Sequence, residues 1–251
     1  MQLDQQIQQA ADVIARAKHI VAMTGAGIST PSGIPDFRSP SSGLWDQADP
    51  LEVASIFAFR HSPQHFYNWV RPLSSLLLEA RPNPAHYALA TLEQEGKLKA
   101  VITQNIDDLH GKAGSKTVYE LHGHLREVTC THCHEALDSA EIFAQFVQDG
   151  QVPRHVCGGV LKPNVILFGE QLPVREFVLA QRVTQEADLM LVVGSSLEVA
   201  PASDLPELAL AHGAKLVIIN YQPTYLDQQA DLVIHADVAE ALPRIVDLIR
   251  V

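Results

Sequence analysis

One stretch, GAGISTPSGIPDFRSP at positions 25–40, constrains this chain more than any other. It follows the apolar run His19–Thr24, which is typical of a short buried strand. A strand that ends in Gly25, Ala26 and Gly27 lets backbone N–H groups approach a bound group with no Cβ in between. Such donors suit a phosphate, although an ordinary strand-to-helix turn explains three small residues equally well.

Strand-like and helix-like segments alternate along most of the chain. Apolar residues at helical spacing predict helices near 3–17, 63–78, 84–95 and 238–249. Short apolar runs predict strands at 99–103, 118–121, 187–193, 215–219 and 231–235, and a strand or extended loop at 164–168. Small or polar residues follow most of these strands. The pattern predicts an α/β fold with a doubly wound, Rossmann-like parallel sheet.

Composition limits the kinds of partner that this protein can bind. The formal net charge of −11 argues against a general nucleic-acid or anionic-membrane binder and is compatible with lysine-rich partners. The N-terminus has no apolar signal region, and no stretch approaches the roughly 20 apolar residues of a membrane span. We therefore expect a cytoplasmic protein that binds neither specific nucleic acid nor membrane. Two of its three cysteines lie in Cys130-Thr-His-Cys133, which favours a metal site over a disulfide.

Four motifs occur in a fixed order along nearly all 251 residues. They are the stretch at 25–40, Gln-Asn-Ile-Asp at 104–107, Leu-His-Gly at 121–123, and Gly-Ser-Ser at 194–196 with Asn220. In this order they resemble the sirtuins of bacterial or archaeal type, the Sir2-like NAD-dependent protein lysine deacylases. One departure is Asp108, where relatives commonly carry Gly, and we expect it to be harmless.

The resemblance implies an enzyme, an NAD-dependent protein lysine deacetylase. The acyl oxygen of a modified lysine attacks the ribose carbon of NAD, and nicotinamide leaves. His122, the single catalytic residue implied, accepts a proton from the ribose, since an imidazole can act as a general base near neutral pH. NAD is consumed as a co-substrate, and the partner is acetylated lysine in proteins.

The resemblance also implies binding residues. Those for NAD are Gly25, Ala26, Gly27, Thr30, Asp36, Phe37, Arg38, Gln104, Asn105, Ile106, Asp107, Gly194, Ser195, Ser196, Asn220, Tyr221, Gln222 and Val238. An extended peptide would be clasped by strand addition between Ile166, Phe168, Gly169 and Glu170 on one side and Leu197, Glu198 and Val199 on the other.

Two insertions interrupt the expected sheet. We expect residues 1–38, 79–124 and 164–251 to form the Rossmann-like NAD-binding domain. A helical insertion at 39–78, without a clear period up to residue 63, and a zinc-ribbon-like insertion at 125–163 would form a smaller domain.

The second insertion departs from the family at its metal site. Sirtuins usually hold a structural zinc with two Cys-x-x-Cys pairs, and here only Cys130 and Cys133 form such a pair. Cys157 keeps its place, but one cysteine is missing. His155 is the favoured fourth ligand because its ring reaches farther than a thiol. His132 and His134 are the other candidates, and an empty site is the remaining alternative.

The acyl group is constrained by the helix at 63–78. Some sirtuins that remove succinyl or malonyl groups carry a Tyr and, three residues later, an Arg. Here Val70 stands three residues after Tyr67, and Arg71 is rotated by about 100° from that position. With Phe66 and Trp69 the pocket is apolar, so the sequence predicts a neutral acyl group.

Three other functions compete. A nicotinamide dehydrogenase would need a GxGxxG turn with an acidic residue about 20 positions on, and neither is present. An NAD glycohydrolase or mono-ADP-ribosyltransferase could share the fold, but the peptide-clasping segments speak against pure NAD hydrolysis. A binding module that senses NAD without turnover would leave His122 and Asn105 with no role.

Overall fold

The computed structural model describes residues 2–37, 43–44 and 48–249. Its strands are Ile20–Thr24 (β1), Leu98–Thr103 (β2), Val118–Glu120 (β3), Gly123–Cys130 (β4), Ala136–Asp138 (β5), Leu161–Val165 (β6), Leu189–Val193 (β7), Lys215–Ile219 (β8) and Leu232–Ile234 (β9). Its α-helices are Gln2–Arg16 (α1), Pro50–Val53 (α2), Ile56–His61 (α3), Pro63–Glu79 (α4), Pro84–Gln94 (α5), Leu109–Ala113 (α6), Ala140–Asp149 (α7), Val174–Gln185 (α8), Leu205–Ala211 (α9) and Val238–Ile249 (α10).

The larger sheet has six strands in the order β3-β2-β1-β7-β8-β9, and all of its pairings are parallel. Along β1, Ile20 and Ala22 join a core cluster that includes residues of α1, α5 and α10. Val21 and Met23 join a second cluster with residues of α8 and α9. Successive side chains point to opposite faces, so a strand covered on both sides is apolar throughout. The predicted doubly wound sheet is confirmed.

A smaller antiparallel sheet, β5-β4-β6, shares a core cluster with α3 and α4. Phe66 and Tyr67 of α4 share a core cluster with Phe146 of α7 and Leu161 of β6. The Tyr67 hydroxyl donates to the Leu161 carbonyl. Arg71 donates to the carbonyls of Val147 at 2.8–3.0 Å and Gln148 at 2.8 Å, at the end of α7. Helix α4 is therefore held to both α7 and β6.

The structure differs from the sequence prediction mainly in short elements. Two helices, α2 and α3, lie where no period was evident, because each is too short to show one. Asp49 and Ser55 cap them by accepting from the N–H groups of Leu51 and Ala58. Of the strand or extended loop expected at 164–168, the strand runs over Leu161–Val165, three residues earlier. No helix within the described residues combines the length and apolarity that a membrane crossing requires.

Candidate active site

A cavity of about 1200 Å³ lies at the carboxyl ends of β1, β2, β7 and β8 and extends to α4 and α8. In parallel α/β sheets, this edge is where ligands bind. The cavity is lined by the predicted NAD residues Gly25, Ala26, Gly27, Thr30, Asp36, Phe37, Gln104, Asn105, Ile106, Asp107, Gly194, Ser195, Ser196, Asn220, Tyr221, Gln222 and Val238. Arg38 lies outside the described residues.

The glycines of the first turn bring two strand ends together. The Gly25 N–H donates to the Val193 carbonyl at 3.4 Å, and the Gly27 N–H donates to the Gly194 carbonyl at 2.8 Å. A Cβ on Gly27 would stand 2.9 Å from the Gly194 oxygen. These two N–H groups are therefore engaged within the chain, contrary to the expectation that they face a phosphate. Glycine is needed here because backbone packs directly on backbone.

Asn105 and Asp107 are held by the same turn. The Asn105 side-chain amide donates to the Gly25 carbonyl at 3.1 Å and to Ser29 Oγ at 3.0 Å. Ser29 in turn donates to Asp107 at 2.6 Å, and the Leu109 N–H donates to the other carboxylate oxygen at 2.9 Å. Burial raises the pKa of the Asp107 carboxyl, while these two hydrogen bonds lower it. The result is a buried, oriented acceptor at the wall of the cavity.

His122 is positioned by the backbone of the neighbouring motif. Its Nδ1 lies 3.0 Å from the Gln104 carbonyl oxygen. Since a carbonyl only accepts, the neutral ring carries its proton on Nδ1 and keeps a lone pair on Nε2. The Gln104 side chain donates to Ser195 Oγ at 2.9 Å, which ties the end of β2 to the turn after β7. The site thus presents one half-buried imidazole with its Nε2 as the basic atom.

The predicted peptide segments reach the same cavity, with one exception. Ile166, Phe168, Gly169, Glu170, Glu198 and Val199 line it. Leu197 instead is 2% exposed and packs in the core on the α8–α9 side of the sheet. Leu197 lies in the loop after β7 and has a φ of +58°, so its backbone does not follow the alternation of a strand.

The backbone of the first peptide segment is largely engaged. The N–H groups of Ile166 and Phe168 donate to the carbonyls of His122 and Ala54 at 2.8 and 2.9 Å. The Leu167 N–H donates to the Glu170 carboxylate at 2.8 Å. A peptide strand added here would therefore find the N–H groups of Ile166, Leu167 and Phe168 already engaged.

Several lining residues were not identified from the sequence as parts of the site. Leu73 and Leu77 extend the apolar stripe of Phe66, Trp69 and Val70 along α4. Their helical spacing was visible, but it could not distinguish a cavity wall from core. Ser29 belongs to the first motif and was overlooked. On α8, Val174 and Val178 line the opening and are 68% and 55% exposed, an unusual exposure for apolar residues at helical spacing.

Asp108 occupies a backbone conformation that explains why glycine suits the position. Its φ is +62°, in the left-handed region where Asp is one of the better tolerated side chains. Its carboxylate accepts from Arg126 at 2.6 Å, and Arg126 also pairs with Glu120 at 2.5 Å. The side chain therefore points to this ion-pair cluster and does not line the large cavity.

A second cluster of ligand-type side chains lies in the small antiparallel module. One ligand atom from each of Cys130, Cys133, His155 and Cys157 lies within 4.8 Å of all the others. His155 Nδ1 is 3.3 Å from Cys133 Sγ and 3.2 Å from Cys157 Sγ, and the two sulfurs of Cys130 and Cys157 are 3.5 Å apart. Tetrahedral ligands of zinc stand about 3.5 Å apart. Glu135 lies 3.4 Å from His155 Nε2, the nitrogen turned away from the cluster.

Comparison of this chain with known protein families, sequences and structures agrees with this geometry. The model of the Sir2 family matches residues 25–201. An NAD-dependent protein deacetylase of Sulfolobus acidocaldarius is 46% identical over 250 residues, which cover 100% of this chain and 98% of the relative. An NAD-dependent protein deacylase 2 of Archaeoglobus fulgidus is also 46% identical, over 99% of this chain and 98% of the relative.

Solved structures extend the likeness to the whole fold. A chain from a study of the mechanism and regulation of Sir2 enzymes superposes with a TM-score of 0.92 at 46% identity, over 98% of both chains. A Sir2 with a p53 peptide and NAD⁺ gives 0.86 at 39% identity, over 96% of this chain and 98% of that one. With the family model spanning most of its length and full-length relatives at 46% identity, this chain belongs to the Sir2 family.

Proposed function

We propose that this chain is an NAD-dependent protein lysine deacetylase, which transfers the acyl group of a modified lysine to ADP-ribose and releases nicotinamide. The observation that carries the proposal is that one cavity joins His122, the Asn105–Asp107 wall and the segments at 166–170 and 198–199. A nucleotide-binding edge, a general base and a peptide groove are the three parts that this reaction needs. The acetylated protein target is recognised mainly through hydrogen bonds to its backbone.

In this proposal, NAD supplies the ribose carbon that reacts with the acyl oxygen, and its nicotinamide is the leaving group. Asp107 accepts from the nicotinamide carboxamide, and Asn105 bonds a ribose hydroxyl. His122 Nε2 accepts the proton of a ribose hydroxyl, which can then attack the acyl carbon. The Gln104 carbonyl keeps the proton of the neutral ring on Nδ1, so that the lone pair is on Nε2. The adenosine half lies against Ser195, Asn220 and their neighbours.

The division into domains is part of the same proposal. Residues 1–38, 79–124 and 164–251 would hold NAD, and the insertions at 39–78 and 125–163 would form the smaller domain. The shared core cluster of α4, α7 and β6 supports a single unit made from both insertions.

The assay follows two products in parallel. Purified protein is incubated with NAD and an acetyl-lysine peptide, and both free nicotinamide and deacetylated peptide are measured, with an unmodified peptide as control. We expect equal amounts of the two products, and none without the acetyl group. Nicotinamide release that is independent of the peptide would instead identify an NAD glycohydrolase or mono-ADP-ribosyltransferase.

The acyl preference is the first prediction. Arg71 is held by the carbonyls of Val147 and Gln148, and the Tyr67 hydroxyl is bonded to Leu161. Neither is among the described residues that line the cavity. A succinyl carboxylate beside Phe66 and Val70 would lack a partner, which costs several kcal/mol. We expect kcat/KM for succinyl-lysine to be about 100-fold or more below that for acetyl-lysine.

The control for this prediction is 4-methylpentanoyl-lysine, which has the shape of succinyl-lysine without its charge. If charge decides, this neutral substrate is processed far better than the succinyl one. Equal kcat/KM values for succinyl and acetyl peptides would contradict the prediction. Equally poor turnover of both longer groups would mean that length, not charge, limits the pocket.

We also propose that Cys130, Cys133, His155 and Cys157 hold a structural zinc ion. The donor set fits, since three thiols and one imidazole converge at distances that suit a tetrahedral ion. The convergence of His155 also favours it over His132 and His134. When bound, the ion would supply cross-linking of the small module and no chemistry, because it lies outside the residues that line the cavity.

Metal analysis tests this second prediction. We expect one zinc per wild-type chain, and at least about a tenfold loss of zinc affinity in His155→Ala, measured by competition with a chelator. His132→Ala is the matched control and should bind like wild type. A wild-type protein without zinc, or an unchanged affinity in His155→Ala, would remove His155 from the ligand set.

A further inference from the structure

A four-residue turn from Leu167 to Glu170 forms part of the cavity wall in the proposed peptide groove. The Glu170 N–H donates to the Leu167 carbonyl at 3.0 Å, and Gly169, the third residue, has a φ of +87°. Both features are typical of a type II β-turn. The turn carries three of the residues predicted to bind peptide, Phe168, Gly169 and Glu170, so its conformation determines the shape of this wall.

The backbone of the first insertion holds this turn at Phe168. The Phe168 N–H donates to the Ala54 carbonyl at 2.9 Å, and the Phe168 carbonyl accepts from the Ile56 N–H at 3.0 Å. This pairing uses main-chain atoms alone and does not depend on any side chain. A second set of contacts, made by side chains, holds Leu167 and Glu170.

One carboxylate oxygen of Glu170 makes this second set of contacts. Its Oε2 accepts from the Leu167 N–H at 2.8 Å and lies 2.9 Å from Nζ of Lys162. The first contact closes the turn a second time, in addition to the backbone bond. The second joins the turn to a lysine whose side chain is 15% exposed, while that of Glu170 is 24% exposed. Hydrogen bonds between charged groups are stronger than neutral ones, and more so where little water competes.

Three acceptors surround the ammonium group of Lys162. Besides the Glu170 carboxylate, Nζ donates to the Val165 carbonyl at 2.8 Å and to the Pro163 carbonyl at 3.2 Å. An ammonium group has three N–H donors, so each has an acceptor. Lys162 itself lies on β6, where it pairs with Thr129 of β4. Its side chain therefore connects the small sheet to the turn from outside the described residues that line the cavity.

We propose that Lys162 is a positioning residue for the substrate peptide: through Glu170 it holds the turn 167–170 in the conformation that receives an acetyl-lysine peptide. The inference rests on the proposed deacetylase function for the identity of the ligand, whereas the contacts themselves do not. Lys162 touches no substrate in this scheme. Its charge matters because a partly buried carboxylate without a countercharge is drawn to water, away from the Leu167 N–H.

The pair can be tested without any substrate. Hydrogen exchange of the Leu167 amide, followed by NMR, reports whether its N–H stays bonded to the carboxylate. We expect exchange to be about tenfold faster in Lys162→Met than in wild type, because one hydrogen bond to a charged group is lost. Lys97→Met is the matched control, since Lys97 also donates to a backbone carbonyl, that of Ala15 at 3.1 Å, and lies outside the described cavity lining. Unchanged exchange in Lys162→Met would overturn the proposal.

The functional consequence is measured as affinity for an acetyl-lysine peptide, by calorimetry without NAD. Lys162→Met should weaken peptide binding about tenfold, the loss that corresponds to one hydrogen bond to a charged group. KM for the peptide should rise by a similar factor, while NAD affinity changes less than about twofold. A role in stability alone would lower both affinities together or change neither. Equal peptide affinities in Lys162→Met and wild type would refute positioning.

A double-mutant cycle tests whether Lys162 acts through Glu170. Glu170→Gln keeps an acceptor for the Leu167 N–H but removes the negative charge. In the double variant Lys162→Met/Glu170→Gln, neither charge is left unpaired. The double variant should therefore bind the peptide no more weakly than the weaker-binding single variant. Additive losses would show that the two side chains act separately and would overturn the proposal.

Failure of the proposed function gives a different pattern of results. Wild-type protein that binds the acetyl-lysine peptide but leaves it intact would refute deacetylation and leave the binding tests valid. Wild-type protein that binds no such peptide would refute the proposed ligand, while the exchange of the Leu167 amide still decides whether the pair holds the turn. Deacetylation by wild type, with unchanged peptide affinity in Lys162→Met, would refute the positioning role alone.

Discussion

His122→Ala is expected to lower the turnover of an acetyl-lysine peptide by about 10²–10⁴-fold while the affinity for NAD stays within a few-fold of wild type. In the proposed reaction the base is a single atom, Nε2, which carries the lone pair of the neutral ring because Nδ1 lies 3.0 Å from the Gln104 carbonyl. Binding of NAD, in contrast, would be spread over residues from four strand ends. Removing one imidazole should therefore separate chemistry from binding.

Two measurements check this expectation. Turnover is followed by mass spectrometry of the peptide, and NAD affinity by calorimetry. The control is His124→Ala, which removes an imidazole two residues along that is not among the described residues lining the cavity. Turnover in His122→Ala close to that of wild type would exclude His122 as the base. A parallel loss of NAD affinity would mean that the ring acts in binding.

Gly194→Ala is expected to have the largest effect on stability, a loss of about 2–5 kcal/mol in the free energy of unfolding. A Cβ at this position would stand 2.2 Å from the Ile28 nitrogen and 2.5 Å from the Gly27 carbonyl carbon. Overpacking costs about 1–3 kcal/mol. The φ of +63° adds about 1–2 kcal/mol for a residue with a Cβ. Both obstructing atoms are backbone, so no side chain can move aside.

The matched control is Gly213→Ala. Gly213 also has a positive φ, +87°, but a Cβ there would meet no atom within 4 Å. Gly213→Ala should therefore lower the free energy of unfolding by only the cost of a left-handed backbone for a residue with a Cβ, about 1–2 kcal/mol. Denaturant unfolding of the two variants and wild type gives the comparison. If Gly194→Ala is no less stable than Gly213→Ala, the close packing of the two turns does not contribute to stability.

The location of the site could be predicted because it depends on strand order alone. Each motif follows a strand of a parallel sheet, and the carboxyl ends of such strands meet at one edge. Asn105 and Ser195, about 90 positions apart, therefore line one cavity. The orientation of Arg71 was predictable for a similar local reason, since rotation along a helix depends only on the residue spacing.

Side-chain partners across the fold could not be predicted. The glycines of the first turn suggested an open phosphate cradle, yet Gly27 packs on Gly194 from a distant strand. Leu197 was expected to line the groove and lies in the core. The contact between the buried rings of His86 and His110, whose centroids are 4.9 Å apart, has no signal in the sequence, where neither residue belongs to a recognisable pair.

The sequence by itself therefore determined the family resemblance, the parallel sheet, the edge at which the candidate site lies, and the three cysteines of the metal cluster, while it left three histidines as candidates for the fourth ligand. These properties follow from local pattern and from the spacing of motifs along the chain. The tertiary structure alone decided which N–H groups are already engaged, which nitrogen of His122 faces the Gln104 carbonyl, and which buried rings are neighbours. Such properties depend on distances of a few ångströms between elements far apart in the chain, and no local pattern encodes those distances.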